Sequence, residues 1–493
     1  MQKNNKSIAM IIKNIEGAAS RGNMETIISG INIDSRMVRP GDLFVCVPGF
    51  NFDGHNFAEK AVEAGAVALL VEKNLPLDVP QIKVANVRAT VGIIAAQMYD
   101  YPTQKINLTG VTGTNGKTTV THLMESIAHE SGENTGIIGT LGAKINSREL
   151  PGNHTTPESV DVQKLLSEMV GEKVQTAVME VSSHALDLGR VNGCDFKAAV
   201  FTNLSQDHLD YHNDMEDYLR AKSLLFSNMK GQKPGQFSVL NADDKSYCFL
   251  KEKSACRVVT YGIETMDCDY RAEKIELSDR GVEFVVVSRT GNDKIVYGTP
   301  GRFSVYNALA AYVWGVECGY KHDIIVTALR DVYGVPGRFQ SIRTGQPFQV
   351  IVDYAHTPDG LENVLSTASE ITEKRLITVF GCGGDRDKKK RPLMAQAASR
   401  WSDYLVVTSD NPRTEDPDSI IADILPGIEK VDYEIIPDRR KAINIACAMA
   451  VKGDTIVVAG KGHEDYQILG TEKIHFDDRE EVEKALRSNN YVE

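Results

Sequence analysis

Nothing in this chain marks a disulfide framework or a zinc site. Its eight cysteines (Cys46, Cys194, Cys248, Cys256, Cys268, Cys318, Cys382 and Cys447) include no Cys-x-x-Cys pair, so reduced thiols are expected. No apolar run approaches the roughly 20 residues of a membrane span. The apolar stretch near the N-terminus, Ile8 to Ile12, ends at Lys13 and is too short for a secretory leader. Net positive charge is missing too. Against 55 Lys and Arg stand 67 Asp and Glu, a formal net charge of −12, which argues against nonspecific binding to nucleic acid or insertion at an anionic membrane. A local basic pocket for an acidic substrate remains compatible with that charge. Internal repeats and low-complexity tracts are absent. The expectation is a soluble, cytoplasmic chain.

At 493 residues the chain is too long for one hydrophobic core. Turn residues suggest two breaks, near Tyr101-Pro102-Thr103 and near Val335-Pro336-Gly337, and hence three domains spanning 1–103, 104–335 and 336–493. In the last two, short apolar runs end in Gly, Asp or Asn clusters and helical patterns follow. Examples are Ile106 to Val111, Ala177 to Met179, Ala198 to Phe201, Leu376 to Phe380, Tyr404 to Val407 and Thr455 to Ala459. Buried parallel strands read this way. The class is therefore α/β, and ligands are expected beyond the carboxyl ends of the strands.

The strongest local signal is Thr112-Gly113-Thr114-Asn115-Gly116-Lys117-Thr118-Thr119. It follows one such strand and precedes apolar residues at Val120, Leu123, Met124, Ile127 and Ala128, the spacing of one helix face. Strand, glycine loop and helix form a phosphate-binding loop: backbone N–H groups and the helix N-terminus favour anions, Lys117 adds a point charge, and Thr118 can ligate magnesium. The common pattern has a glycine where Val111 stands; here it sits at Gly113 instead. Glu180 ends the next strand and opens Glu180-Val181-Ser182-Ser183-His184, a natural place for a magnesium ligand. The polar stretch from Thr202 to His212 follows a third strand; alone it reads as a solvated helix start capped by Ser205. Lys222, 14 residues past His208, reads by itself as a surface lysine.

Strand-end clusters also crowd the last domain: Gly381 to Asp387, Asp410-Asn411-Pro412-Arg413, and Gly460-Lys461-Gly462-His463-Glu464-Asp465. All should converge on one sheet edge. Arginines and a glutamate together there suit a zwitterion, guanidinium to carboxylate and carboxylate to ammonium. Upstream, Asp353 opens Asp353-Tyr354-Ala355-His356-Thr357-Pro358-Asp359 and could take ribose hydroxyls.

Taken together, the motifs at 112–118, 180–184, 207–212, 353–359 and 460–464 resemble those of the Mur ligase family, in that family's order, from about Asp34 to Glu480. The resemblance implies a small N-terminal α/β domain that binds a UDP-linked substrate, a central ATPase-like parallel-sheet domain, and a C-terminal Rossmann-like domain that binds an amino acid. A monomer is expected. The family's loop carries its glycine where Gly113 stands. Within the family the chain is most similar to the ligases that use ATP and Mg2+ to add meso-diaminopimelate to UDP-N-acetylmuramoyl-L-alanyl-D-glutamate. Residue by residue, Ile33, Ser35, Phe50, Asn51, Phe52, Thr155, Thr156, Ser182 and Arg190 match UDP-substrate contacts, while Leu188 stands where relatives often carry Gln. Gly113, Thr114, Asn115, Gly116, Lys117, Thr118, Thr119, Asn307, Arg338 and Asp353 match ATP contacts. Glu180 and His208 match metal ligands beside Thr118. Lys222 matches a lysine carbamylated in this family, an anionic partner of magnesium. Arg386, Asp410, Asn411, Pro412, Arg413, Gly460 and Glu464 match the diaminopimelate pocket. Lys117, Glu180, His208 and Lys222 would form the catalytic set. Lysine as acceptor is the nearest alternative. A folylpolyglutamate synthase shares the fold, though the residues near Ser35 and the first domain speak against it. A non-catalytic nucleotide-gated regulator would have little use for the four catalytic-set residues.

Overall fold

The computed structural model describes residues 5–489 and Tyr491, apart from 50, 51, 153, 209, 210, 230–233, 279, 290 and 333. The chain divides into two compact units, Met1–Tyr261 with Val313–Tyr320, and Gly262–Tyr312 with Lys321–Glu493.

Besides a two-stranded antiparallel ribbon, Lys6–Ser7 with Ile27–Ile28, the first unit holds two larger sheets. The smaller has strand order Ala19–Arg21, Gln81–Lys83, Ala68–Val71, Asp42–Val45 and Gly30–Asn32, the last four parallel. Helix Val87–Met98 begins where the Asn86 side chain accepts from the Ala89 N–H and buries Val87, Val91, Ile94 and Ala95 against this sheet. It stops before Tyr101, whose φ of 50° is incompatible with a continuing helix, and Pro102 follows.

In the larger sheet Asn107–Thr112 lies between Thr176–Glu180 and Phe196–Phe201. These three strands run parallel and are buried almost throughout, which is why their sequences are near-continuous apolar runs. Helix Lys117–Glu130 buries Val120, Leu123, Met124, Ile127 and Ala128 completely. Trp314, fully buried, donates its indole N–H to the Thr109 hydroxyl at 2.9 Å, so the tryptophan's one polar atom is satisfied at the centre of the sheet.

In the second unit an antiparallel meander, Tyr270–Ser278, Gly281–Ser288 and Gly291–Tyr297, precedes a six-stranded sheet. Its order is Gln340–Ser341, Gln349–Asp353, Thr455–Ala459, Leu376–Phe380, Tyr404–Val407 and Asp432–Ile435, and the last five strands are parallel. Successive strand residues face opposite sides. Ile351, Phe380 and Val457 therefore pack on one face with Leu361, Met394 and Ile420. Val350, Val379 and Val458 pack on the other with Ile443 and Val482. Helices cover both faces, the doubly wound arrangement.

One buried ion pair ties the functional edge of this sheet to the last helix. Arg439 grips Asp478 through two hydrogen bonds of 2.7 Å, and neither side chain is exposed. The same guanidinium donates to the carbonyl of Ala459 at 2.9 Å, at the end of a central strand. Asp478→Ala would leave that guanidinium buried without its carboxylate. We expect it to destabilise this unit by about 3–5 kcal/mol, read as an earlier urea midpoint.

Candidate active site

In the first unit the loop after Asn107–Thr112 turns on two glycines, Gly113 with φ +151° and Gly116 with φ +86°. A Cβ at Gly113 would lie 1.9 Å from the Thr202 hydroxyl oxygen, so the close approach itself demands glycine. The loop is braced from the neighbouring strand end. Thr114 N–H donates to the Asn203 carbonyl at 2.8 Å, Asn115 N–H to the Asn203 side-chain oxygen at 3.0 Å, and the Thr202 hydroxyl to the Asn115 carbonyl at 2.6 Å. Ser205 caps no helix, contrary to the expectation for this stretch. Its N–H donates to the Thr114 hydroxyl at 3.0 Å, and the following helix, Met215–Ser227, is capped by Asp214. The stretch is half of the phosphate-loop scaffold, a role only tertiary contact reveals. Lys117 folds back over the loop and donates to the carbonyls of Gly113 and Thr114 at 2.9 and 2.7 Å. Thr118 and Thr119 are buried. Gly113→Ala should force the loop off this geometry, a strain of about 1–3 kcal/mol. Calorimetric titration with ADP should then show affinity reduced by about 5- to 150-fold.

Glu180 is 1% exposed and accepts from the Thr118 hydroxyl at 2.9 Å, the Thr140 N–H at 2.8 Å and the Thr140 hydroxyl at 3.1 Å. Gly139 makes room for it, since a Cβ there would sit 2.3 Å from a carboxylate oxygen. Among the described residues no Lys, Arg or His forms an ion pair with Glu180. A buried carboxylate with a hydroxyl oxygen beside it and no cationic partner is a suitable donor set for a hard dication that keeps waters and takes phosphate oxygens. No group of three His, Cys, Asp or Glu side chains able to hold a metal occurs among the described residues.

Lys222 is 1% exposed, not the surface lysine its helix suggests. Its amine donates to the Gly113 carbonyl at 2.9 Å, the same oxygen that Lys117 holds, and lies 4.3 Å from the centre of the Tyr218 ring. Burial pushes its pKa well below the ordinary lysine value, and the charge of Lys117 pushes the same way against a weaker pull from Asp207. His208 has a left-handed backbone, φ 55°, uncommon for a residue with a side chain and frequent at functional sites. Its imidazole lies 3.4 Å from Asp207, with ring centres 4.9 Å from His184 and 5.9 Å from Tyr218. The buried His212 holds the Ser183 hydroxyl at 2.9 Å, which pins the Glu180–His184 turn to the Asp207–His212 segment.

The residues matched to the UDP substrate divide. Thr155, Thr156, Ser182 and Arg190 come together beside Glu180. The Thr155 and Thr140 hydroxyls are 3.0 Å apart, Thr156 donates to the Glu180 carbonyl at 2.8 Å and accepts from Ser182 N–H at 3.1 Å. Arg190 donates to the Thr156 carbonyl at 3.1 Å and pairs with Glu158 at 2.8 Å. Its buried Nε has no partner among the described residues, so an acceptor there would complete the set. Ile33 packs on the edge of the small-sheet core, Ser35 opens a short 3-10 turn capped by Asp34, and the Phe52 ring is 73% exposed. Phe50 and Asn51 lie outside the described residues.

In the second unit Asn307 is buried on helix Arg302–Cys318. Asp353 ends its strand and accepts from the N–H groups of Phe339 and Ala355 at 2.6 and 2.8 Å. The Arg338 guanidinium lies over the Tyr354 ring at 4.9 Å. Tyr354 also contacts His463 at 4.8 Å between ring centres, whose pKa burial lowers to about 4. Among the described residues the buried Arg338 Nε and His463 Nδ1 have no partner.

The remaining strand-end clusters converge. Asn411 donates to Glu464 at 2.9 Å, and a Cβ at Gly460 would come within 2.7 Å of Asp410. Arg413 takes a left-handed conformation, φ 53°, held by its N–H to the Ile468 carbonyl at 3.1 Å and its carbonyl from Gly470 N–H at 2.8 Å. The hydrogen of Gly383 leaves space for the guanidinium: a Cβ would sit 2.9 Å from Arg413 Nη1 and 3.8 Å from Arg386 Cγ. Pro412 needs Gly384 likewise, where a Cβ would meet the Pro412 carbonyl oxygen at 1.9 Å. Arg386 is exposed. The sequence reading passed over Lys461, which is completely buried among Asp410, Asn411 and Glu464. It also passed over Asn203 and Thr140. The only signal for Lys461 was its place in the 460–464 motif.

Comparison with known proteins accounts for most of the chain. Residues 27–99 match the Mur ligase family, catalytic domain; 111–315 the Mur ligase middle domain; and 337–462 the Mur ligase, glutamate ligase domain. The chain is 50% identical over 463 residues to a UDP-N-acetylmuramoyl-L-alanyl-D-glutamate–2,6-diaminopimelate ligase of Bacillus velezensis, covering 93% of this chain and 94% of that one. It is 44% identical to the ligase of the same name from Clostridium botulinum, covering 98% and 99%. A solved structure of a ligase with that name matches with a TM-score of 0.73 at 34% identity, covering 99% of this chain and all of the other. Matches over nearly the whole length, in the order its motifs run, leave one conclusion: the chain belongs to the Mur ligase family.

Proposed function

We propose that this chain is an ATP-dependent ligase that adds meso-diaminopimelate to the D-glutamate γ-carboxyl of UDP-N-acetylmuramoyl-L-alanyl-D-glutamate in peptidoglycan precursor synthesis. The observation that carries the reading is the second unit's strand-end cluster. Arg413, Asn411 and Glu464 together offer a carboxylate-binding fork and an ammonium-binding acid. The names of relatives 44–50% identical over nearly their full length agree with it.

An amine does not displace oxide from a carboxylate in neutral water. In the proposed reaction a γ-carboxylate oxygen attacks the γ-phosphorus of ATP, ADP leaves, and an acyl phosphate forms. The neutral amine of diaminopimelate attacks the acyl carbon, loses a proton, and the tetrahedral adduct expels phosphate. The loop from Gly113 to Thr119 presents backbone N–H groups and Lys117 to the phosphates, since positioning and charge neutralisation dominate phosphoryl transfer. Thr118, Glu180, His208 and Lys222 would hold Mg2+, which supplies charge neutralisation at the phosphates. A lysine with depressed pKa is in its neutral form more of the time, the form that reacts with carbon dioxide, so burial prepares Lys222 for carbamylation. Carbamylation would turn it from a like charge beside Lys117 into an anion. His208 orients or ligates. Asn307, Arg338 and Asp353 take the nucleotide's base, phosphates and ribose. Ile33, Ser35, Phe50, Asn51, Phe52, Thr155, Thr156, Ser182 and Arg190 take the UDP substrate.

We further read three domains at 1–103, 104–335 and 336–493, supported by the three consecutive family matches within those spans. The reading places a monomer in the cytoplasm, where ATP and UDP-linked precursors are made. Among the described residues no helix is long and apolar enough to cross a membrane. The acyl phosphate is tested with substrate carrying 18O in the γ-carboxylate: one labelled oxygen should appear in each released phosphate. Unlabelled phosphate would overturn the mechanism.

A further inference from the structure

Resting on the acceptor assignment above, we propose that Lys461 is a positioning residue that sets the enzyme's choice of acceptor by balancing the charge of the acceptor pocket.

Lys461 follows the strand Thr455–Ala459 and has no exposed surface. Its amine lies 3.2 Å from Glu464, 3.9 Å from Asp410 and 3.3 Å from the Asn411 side-chain oxygen. The ammonium thus donates to Asn411 and Glu464 and pairs more loosely with Asp410, partners drawn from two strand-end loops. A fully buried ammonium cannot itself be a substrate contact, so whatever it contributes to recognition passes through these three neighbours.

Two consequences follow. The first is geometric. The Asn411 oxygen accepts from Lys461 and from the Ile468 N–H at 3.0 Å. The amide nitrogen is therefore the group turned to Glu464 at 2.9 Å, with a second N–H left for an acceptor. The second is electrostatic. Among the members that are not exposed, Asp410 and Glu464 are acidic and Lys461 and Arg413 basic, so this inner set is neutral; Arg386 is exposed, where water screens its charge, and the buried Arg439–Asp478 pair balances itself. A neutral cluster suits the far end of diaminopimelate, which carries both a carboxylate and an ammonium. The far end of lysine is a bare ammonium. Without Lys461 the cluster would carry one net negative charge and favour that bare cation. Inside a protein such imbalances weigh far more than in water.

The experiment measures kcat/KM for meso-diaminopimelate and for L-lysine, and KM for ATP, in the full-length enzyme and in Lys461→Met. The preference for diaminopimelate over lysine should fall at least about 30-fold, the scale of losing a buried charge's hydrogen-bonded partner, with KM for ATP nearly unchanged. Lys461→Gln, which keeps a donor to Asn411 without the charge, is the variant to use if Lys461→Met fails to fold, and its preference should fall likewise. A purely structural role would depress both acceptors together and leave their ratio unchanged, and that result would overturn the proposal. A wild-type enzyme that adds neither acceptor would instead overturn the function on which it rests.

Discussion

Lys222→Ala is expected to lower kcat by about 10²–10³-fold or more, the scale of removing one preorganised charge-stabilising group. The structure explains why so remote a side chain matters. Lys222 is buried beneath the phosphate loop and shares the Gly113 carbonyl with Lys117. Two ammonium groups on one carbonyl repel each other, and burial compounds the cost, so the unmodified amine is driven toward neutrality. As a carbamate the same side chain would be an anion beside Lys117 and a metal-bound phosphate. Alanine leaves the space without either charge. Formate or another short carboxylate at high concentration should restore part of the turnover by occupying that space. Wild-type-like activity in Lys222→Ala would remove the carbamate from the account.

Arg413→Ala is the second large effect. Truncating one partner of a buried charge pair costs about 2–5 kcal/mol, or about 30-fold to several thousand-fold in affinity. KM for diaminopimelate should rise on that scale while KM for ATP changes much less. The left-handed backbone at Arg413 and the bare Cα of Gly383 show that the loop is built around this guanidinium. On the proposed reading its substrate partner is the carboxylate that lysine lacks. A site organised around a polar group rejects an analogue without it by roughly 10⁴-fold. Equal increases in KM for both substrates would show that the arginine supports the fold instead.

Much of this was legible in the sequence because the relevant signals are local. The runs Leu376–Phe380, Tyr404–Val407 and Thr455–Ala459 are strands with those bounds, since parallel strands buried on both faces leave no polar position to blur them. The five apolar residues after Lys117 form one buried helix face because their spacing follows the helical repeat. What escaped depends on contacts across the chain. The Thr202–Ser205 stretch reads as a helix start, and only its bonds to residues about 90 positions earlier make it a phosphate-loop brace. Lys222 sits in a helix of mixed polarity whose buried face a short periodicity does not resolve. In its local sequence Lys461 resembles a surface lysine; its burial also depends on Asp410 and Asn411, the latter 50 positions away. The family resemblance supplied Lys222; nothing in the sequence supplied the burial of Lys461.

This enzyme's defining property is that it joins one particular amino acid to one particular nucleotide. Its most direct test is phosphate release from ATP with the purified enzyme, UDP-N-acetylmuramoyl-L-alanyl-D-glutamate and a panel of amino acids added one at a time. Steady release is expected with meso-diaminopimelate and, at equal concentration, only a trace with L-lysine. Comparable kcat/KM for lysine would contradict the acceptor assignment, and release with neither would contradict the ligase itself.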